Sequence, residues 1–216
     1  MNIAVLGAGN VGKALGAGWA GLGHRVAFGV RNPGDSKYHR LSPAAQAEVN
    51  ITTTAEAAAQ AEVVLLAVPW NATEGVIREA GGLAGKIVLD ATNPLGPGLT
   101  LTIGHTSSAG EAVAGWAPQA RVVKIFNTTG FGNMANPRYG DLRTTMFYAG
   151  DDSHAKEVAH LLAAGLGFDP IDAGPLSNAR LLEPLACLWI DLAMMRGHGR
   201  DIAFILHRRS TPRPQD

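Results

Sequence analysis

The sequence contains a single cysteine, Cys187, among its 216 residues, which excludes an intrachain disulfide framework. Neither sign of charge is in excess, because 18 Lys and Arg residues balance 18 Asp and Glu residues. A general binder of nucleic acid or of membrane surfaces needs a field of one sign, so neither partner is expected. Cys187 lies in an apolar stretch, and we interpret it as a core residue rather than a nucleophile.

Long hydrophobic runs are also missing. The most apolar stretch, 181–195, is interrupted by Glu183, Pro184 and Asp191, which makes it too polar for a membrane span. Met1 leads directly into an apolar strand, without the basic region and cleavage site of a signal peptide. These absences predict a cytoplasmic protein. The 46% of residues that are hydrophobic still suffice for a sizeable core.

Short apolar runs alternate with helical patterns along most of the chain. The predicted strands are 3–6, 25–29, 51–53, 63–68, 86–90, 121–126, 144–149 and 170–171, and the predicted helices are 10–20, 55–61, 72–80, 108–116 and 153–165. The stretch 131–144 is predicted to be a turn-rich loop. Continuous apolar strands between helices are typical of a parallel sheet that is covered on both faces.

We therefore predict an α/β fold with a Rossmann-type doubly wound parallel sheet. The sheet is expected to be parallel through 121–126, with the glycine turn after the first strand at its middle. Residues 1–143 would form the dinucleotide-binding domain and 144–209 a small C-terminal α+β or helical domain. The tail 210–216 is predicted to be disordered.

A long helix is predicted near the C-terminus, with Ser177 or Asn178 as its cap. Apolar residues spaced by three and four mark one face of it: Leu181, Leu185, Leu188, Leu192 and Met195. Pro184 within this pattern predicts a kink or a second helix start. The helix carries more apolar residues than one buried face requires, which favours a homodimer; the alternative is that the chain itself buries both faces.

The first predicted strand leads into a glycine-rich turn, Gly7-Ala8-Gly9-Asn10-Val11-Gly12, which matches G-x-G-x-x-G. The match is informative because it follows a strand and opens a helix. In such turns the first glycine allows the tight bend, the second lets a pyrophosphate approach and the third lets helix and strand pack closely. We predict that Gly7, Gly9, Asn10, Val11 and Gly12 bind a dinucleotide; the alternative is a glycine turn without a ligand.

An acidic residue is missing where chains that bind NAD carry one, at the end of the second strand. Arg31 and Asn32 occupy this place, and the first carboxylate beyond them is Asp35. A guanidinium holds a 2′-phosphate, whereas a carboxylate would repel it. Arg31 and Asn32 therefore predict NADP as the cofactor, with Ser36, Lys37 and Arg40 as further contacts; the alternative is that Arg31 is merely a surface residue.

Three more loops leave the carboxyl ends of predicted strands, where open parallel sheets bind their ligands. They contain Val68-Pro69-Trp70, Thr92-Asn93 and Asn127-Thr128-Thr129. Proline would fix these loops, and amides and hydroxyls would bind the nicotinamide end of the cofactor. Turn formation alone also favours such residues, so their convergence on one crevice is the stronger indication.

Residues for acid-base or metal chemistry are few. The sequence has no Tyr-x-x-x-Lys motif, no paired carboxylates and no metal-ligand cluster, and its histidines are scattered. A carbonyl reductase normally needs a proton donor, whereas a flavin-type hydride acceptor requires little more than positioning. We predict no metal site and assign no certain catalytic residue.

The segments GAGNVGKAL, VRN, AVPW, VKIFNTTGFGNM and DAGPLSNARLLEPL together resemble the deazaflavin (coenzyme F-420):NADP oxidoreductases. They are also similar to the cytosolic reductase domains of membrane metalloreductases. The resemblance extends from Met1 to about Arg209 and is most specific over 123–134 and 172–180. It implies nicotinamide and deazaflavin or flavin rings stacked in a cleft between the two domains, near Pro69, Asn127 and Leu176.

The chain departs from the deazaflavin pattern at two places. Val30-Arg31-Asn32 stands where those members carry a Ser-Arg-Arg type phosphate loop. Asn127-Thr128-Thr129 stands where they carry a segment with histidine, and this form resembles the metalloreductase branch, whose acceptor is a flavin.

We predict an oxidoreductase that transfers a hydride between NADPH and a deazaflavin. The predicted contacts of the acceptor are Pro69, Thr128, Thr129, Leu176, Ser177 and Asn178. One alternative is an NADPH:flavin reductase that passes electrons onward to a metal or a quinone. A second is an NADP-binding redox sensor without catalysis.

Overall fold

The computed structural model describes residues 1–38 and 49–209. Among these residues, eight strands form one sheet in the order β10-β9-β6-β5-β4-β1-β2-β3, and two short strands form a separate hairpin, β7-β8. The strands are Asn2–Leu6 (β1), Arg25–Gly29 (β2), Val49–Thr52 (β3), Val63–Leu66 (β4), Ile87–Asp90 (β5), Arg121–Lys124 (β6), Arg138–Tyr139 (β7), Leu142–Arg143 (β8), Thr145–Gly150 (β9) and Asp169–Asp172 (β10).

The predicted Rossmann-type sheet is confirmed. Strands β6, β5, β4, β1, β2 and β3 are all parallel, and the glycine turn follows β1 near the middle of this set. The exception is β9, which pairs antiparallel with β6 while β10 runs parallel to β9. Both strands come from the segment predicted as a C-terminal domain, yet they extend the same sheet; the boundary at 143/144 stays a prediction.

Helices cover both faces of the sheet. They are Asn10–Gly21 (α1), Thr54–Gln60 (α2), Trp70–Glu79 (α3), Ala109–Trp116 (α4), Phe131–Ala135 (α5), Ser153–Gly165 (α6) and Ala179–Ile190 (α7), and α7 continues as a π-helical turn, Asp191–Met195. Successive residues of the strands point to opposite faces of the sheet and contribute to two apolar cores, one on each face. Val5, Leu65 and Leu89 pack towards α1 and α6, whereas Leu6 and Leu66 pack towards α2 and α3.

Several segments differ from the prediction. The stretch expected to be a loop contains α5 and the hairpin β7-β8, in which Gly140 has a φ of 60° at the first turn position, where two-residue hairpins favour glycine. Helix α3 begins at Trp70, earlier than predicted, because Pro69 is its N-cap. Helix α7 runs through Pro184 without a break, so no second helix starts there.

Helix α7 buries a different face from the one its leucine spacing suggested. Leu182, Ala186 and Trp189 are buried, whereas Leu181, Leu188 and Met195 are 67%, 49% and 67% exposed. Leu185 and Leu192 of the predicted face are half-buried, so this face lies largely on the surface, and the described residues do not bury both faces of α7.

Cys187 also differs from its predicted place in the core, because it is only half-buried. Burial nevertheless raises the pKa of its thiol, and the nearby Glu183 raises it further, so it is not an activated nucleophile. In the part of the chain that the structure describes, no helix has both the length and the apolar character to cross a membrane.

Two glycines inside helices test the packing of the first core. A Cβ at Gly16 would lie 2.5 Å from Cζ of the buried Phe28, whereas a Cβ at Gly75 would have no atom within 4 Å. Alanine favours a helix over glycine by about 1 kcal/mol at both sites, but overpacking costs about 1–3 kcal/mol. We expect Gly16→Ala to lower the free energy of unfolding and Gly75→Ala to raise it, as measured by urea denaturation. The same sign of change in both variants would contradict this packing.

Candidate functional site

The glycine turn after β1 is built by close backbone contacts. Gly7 has a φ of 110°, and a Cβ there would lie 2.5 Å from the carbonyl oxygen of Ala67. A Cβ at Gly12 would lie 2.1 Å from the carbonyl oxygen of Gly7. These two positions therefore require glycine, in agreement with the roles predicted from the motif.

Gly9 is different, because its surroundings are open. A Cβ at Gly9 would have no atom within 4 Å, so the space above this residue is free for a ligand. Gly9 is also the N-cap of α1, and no side chain caps the helix there. The first N–H groups of α1, at the exposed Asn10 and the half-buried Val11, thus point towards open space. An uncapped helix N-terminus beside a glycine turn fits a phosphate group.

Arg31 and Asn32 lie beyond β2 at the same edge of the sheet, and both are exposed. Within residues 1–38 and 49–209, no acidic side chain forms an ion pair with Arg31. Asp35, the nearest acid in the sequence, forms an ion pair with Lys37 at 2.7 Å. The guanidinium is therefore available to an anionic ligand; Arg40, another predicted contact, is outside the described residues.

The loop after β4 presents Val68 and Pro69 at the strand ends. Pro69 is exposed, and its carbonyl accepts a hydrogen bond from the Thr73 hydroxyl, which fixes the start of α3. The ring of Trp70 stacks on Trp116 of α4 with centroids 5.1 Å apart, and Trp70 is half-buried. Pro69 thus remains as the loop's contact surface, whereas the Trp70 ring is used in packing.

The loops after β5 and β6 are joined by two asparagines. Asn93 donates from Nδ2 to the carbonyl of Asn127 at 3.0 Å, and Asn127 donates from Nδ2 to Oδ1 of Asn93 at 3.1 Å. Asn127 also donates to the carbonyl of Leu182 in α7 at 3.1 Å. Because both partners of its amide nitrogen are acceptors, the orientation of Asn127 is fixed. We call this set the asparagine latch.

The latch leaves one polar atom unsatisfied. Oδ1 of Asn127 is buried and has no donor among the described residues. Such atoms are rare in folded proteins and cost about 1–3 kcal/mol, so they commonly mark functional places. The backbone just before it is also strained, since Phe126 has a φ of 62°, which is unusual for an aromatic residue.

Thr128 and Thr129, predicted to contact the acceptor, are buried. Thr129 accepts a hydrogen bond from Nδ2 of Asn133 at 2.7 Å, and Asn133 accepts one from the Tyr139 hydroxyl at 2.8 Å. Burial raises the pKa of Tyr139, so the hydroxyl keeps its proton at neutral pH. The C-terminal segment covers this network, because the carbonyl of Ile202 accepts hydrogen bonds from Asn133 and Trp189.

Leu176, Ser177 and Asn178 are not brought to the latch. Leu176 packs in the second core, and its N–H donates to Asp151. Asn178 donates to the carbonyl of Ala173 instead of capping α7. Leu182 and Glu183, further along α7, are the residues of this helix that reach the strand ends.

A buried group of three ions lies beneath the latch. Nζ of Lys124 lies 3.0 Å from Asp90 and 2.9 Å from Glu183, and all three side chains have no exposed surface. Nζ also donates to the carbonyl of Thr92 at 2.5 Å. Thr92, predicted to bind the cofactor, donates its hydroxyl to Asp90 and is buried. We call Asp90, Lys124 and Glu183 the buried triad.

Sequence reasoning missed the triad. Asp90 and Lys124 each end a buried apolar strand, and they lie opposite each other in the register of β5 and β6. The overlooked signal for this pair is that two successive apolar strands each end in a single charged residue, and the two charges have opposite sign. Glu183 gave a weaker signal, a single carboxylate within an apolar helix.

Known proteins resemble this chain over most of its length. The family model described as NADP oxidoreductase, coenzyme F420-dependent, matches residues 2–94. The F420-dependent NADP reductase of Methanothermobacter marburgensis is 32% identical over 209 residues, which cover 89% of this chain and 92% of that protein. A crystal structure from Arthrobacter sp. FB24, assigned provisionally as an F420-dependent NADP reductase, has a TM-score of 0.86 and 36% identity, and covers 96% of this chain and 100% of that chain.

The metalloreductase STEAP3 of Rattus norvegicus is 30% identical over 184 residues, which cover 85% of this chain. The match covers 36% of STEAP3, so the chain spans about a third of the length of that relative. Because the match to the archaeal reductase covers nine-tenths of both proteins, the chain belongs to the family of coenzyme F420-dependent NADP oxidoreductases, a family of NADP-dependent reductases.

Proposed function

We propose that the protein binds NADPH along the carboxyl edge of the sheet and transfers its hydride to a deazaflavin of the coenzyme F420 type. The observation that carries the proposal is the combination of the open, uncapped N-terminus of α1 with the exposed Arg31 at the same edge, which has no acidic partner in the described part of the chain. The first of these would hold the pyrophosphate, and the second would hold the phosphate that distinguishes NADP from NAD. When bound, the cofactor supplies the hydride, and the protein supplies its position.

The geometry of the glycine turn supports the proposed binding of the cofactor's pyrophosphate there. Gly9 has free space above it, and the N–H groups of Asn10 and Val11 have no side-chain acceptor. The positive end of the α1 dipole adds to this attraction for an anion. Gly7 and Gly12 contribute by letting β1, α1 and the loop after β4 approach one another.

The charges beyond β2 support the proposed binding of the cofactor's 2′-phosphate there. Arg31 and Asn32 are exposed beyond the strand, and Asp35 is engaged by Lys37. A guanidinium in this place matches two phosphate oxygens with parallel donors. No carboxylate lies between Gly29 and Asp35, so the acidic group with which NAD-binding chains accept from a ribose 2′-OH is missing.

The nicotinamide end would lie over the loops with Pro69, Asn93 and Asn127. Oδ1 of Asn127 is buried without a donor among the residues that the structure describes, and it is the acceptor that this loop would offer to a ligand N–H. Thr128 and Thr129 follow in the same loop and are proposed to border the acceptor. Leu176, Ser177 and Asn178 would contribute to the acceptor site only through the placement of α7.

The acceptor is inferred from the chemistry of these loops. Pro69, Asn93, Thr128 and Thr129 have no ionisable side chains, so they offer no general acid for reduction of a carbonyl. A deazaflavin accepts a hydride without one. The archaeal relative that matches over 92% of its length is named an F420-dependent NADP reductase, which favours the same acceptor.

Reduction of the acceptor provides the direct test. Mixed with NADPH, the protein should reduce coenzyme F420 faster than FMN or FAD, as followed by the loss of deazaflavin absorbance. Preference for FMN or FAD would instead favour a flavin reductase of the metalloreductase type, a candidate supported by the 30% identity to STEAP3. Tight NADPH binding without reduction of any of the three would favour the redox sensor.

Replacement of Arg31 tests the cofactor. A hydrogen bond to a charged group contributes about 1.5–3 kcal/mol, so Arg31→Ala should weaken NADPH binding about ten- to hundredfold and leave NADH nearly unchanged. Titrations of both dinucleotides would measure this. Arg78→Ala, which removes an exposed arginine at the far end of α3, is the control and should change neither. An equal loss for NADPH and NADH in Arg31→Ala would mean that Arg31 supports the structure and not the phosphate.

We further propose that the protein forms a homodimer through α7. Leu181, Leu188 and Met195 form an exposed apolar stripe on this helix, larger than the scattered apolar residues of a monomer surface. The double variant Leu181→Glu, Leu188→Glu would place charges in this interface. It should therefore be a monomer when its molar mass is measured by light scattering. Leu161→Glu, at an equally exposed leucine of α6, should leave the dimer intact. A monomeric wild-type protein at micromolar concentration would refute the proposal.

A further inference from the structure

The protons of the buried triad can be assigned from its hydrogen bonds. Oδ1 of Asp90 accepts from the N–H and hydroxyl of Thr92, and Oδ2 accepts from Lys124. The Glu183 oxygens accept from the N–H groups of Ala109 and Gly110 and from Lys124. The Lys124 ammonium contacts both carboxyl groups, and the backbone N–H groups of Thr92, Ala109 and Gly110 donate to them; each of these contacts favours the charged carboxylate. Both carboxylates are therefore ionised.

Lys124 is ionised for the corresponding reason. Its three N–H bonds find three acceptors, on Asp90, Glu183 and the carbonyl of Thr92. The triad thus contains two negative charges and one positive charge. The N-terminus of α4 offsets part of the excess through its dipole, because Ala109 and Gly110 begin this helix. The nearby Arg180 and Glu111 pair with each other and add no net charge. A residual negative charge remains buried.

This charge lies under the asparagine latch. Asp90 and Asn93 are in the same strand–loop segment, as are Lys124 and Asn127, and Glu183 follows Leu182, whose carbonyl binds Asn127. The nicotinamide site proposed above borders this latch, so the triad lies on the protein side of it. Because the side chains have no exposed surface, water and salt screen their field weakly.

Resting on the proposed function, we propose that the buried triad favours oxidised over reduced nicotinamide. Transfer of a hydride from bound NADPH to the acceptor would leave the nicotinamide ring, neutral in NADPH, with a positive charge. A fixed negative charge beneath the ring stabilises the product of this change and not its precursor. The triad would thus make bound NADPH a stronger hydride donor. This effect would be additional to its structural role of connecting β5, β6 and α7.

The ratio of two dissociation constants tests this. Glu183→Gln keeps the shape of the side chain and removes one negative charge. It should weaken the binding of NADP+ relative to NADPH about three- to tenfold, the size expected for one unit charge at short range in the protein interior. Glu79→Gln, which removes an exposed charge from α3, should leave the ratio unchanged. Both nucleotides would be titrated calorimetrically at one ionic strength.

The possible outcomes separate the two proposals. Equal weakening of NADP+ and NADPH in Glu183→Gln would show a purely structural triad and overturn this inference while leaving the proposed function intact. A wild-type protein that binds neither nucleotide would overturn the proposed function itself. If Glu183→Gln does not fold, Asp90→Asn removes the other charge with its shape preserved, and the same ratio decides.

Discussion

The contact of Lys124 with two buried carboxylates is the interaction on which the site depends. A single ammonium group connects the ends of β5 and β6 to α7, and Glu183 in turn receives the first N–H groups of α4. Removing the ammonium group would leave two carboxylates buried without a counter-ion, which typically destabilises a protein by about 3–5 kcal/mol. An apolar side chain could fill the volume of Lys124. It could not replace the three directional N–H hydrogen bonds that position β5, its following loop and α7 relative to β6.

The triad also explains how α7 contributes to the site. Leu176 and Asn178, just before the helix, bond to Asp151 and to the carbonyl of Ala173. One turn into α7, Leu182 bonds to the latch and Glu183 to the triad. The proposed acceptor site would therefore depend on the position of α7 more than on contacts from residues 176–178.

The parts of this molecule that were predictable are those with a local physical cause. The turn requires glycine at Gly7 and Gly12 because their neighbours would collide with a Cβ, and the sequence motif expresses that requirement directly. The parallel strands could be recognised because each is an apolar run of suitable length between helices.

Contacts between distant segments had no such signal. The spacing of Leu181 and Leu188, two helical turns apart, correctly indicated one face of a helix. Such periodicity does not distinguish a face that the chain buries from one that it exposes. Lys124 and Glu183 are 2.9 Å apart only because β6 and α7 are neighbours in the fold. Trp70 seemed suited to a ligand by its position, yet the partner of its ring, Trp116, comes from another helix.

The two ends of the proposed cofactor site differ in kind, and this difference has consequences for specificity. The proposed phosphate end consists of backbone groups and the exposed Arg31, so a single surface substitution would alter the choice of dinucleotide without repacking the fold. The proposed ring end is formed by the latch, the triad and the strained Phe126, of which all but the half-buried Asn93 are buried. Changes there would disturb the placement of α7 and two strands together. Divergence of acceptor within such a family is therefore easier in the residues that border the latch, such as Thr128 and Thr129, than in the latch itself.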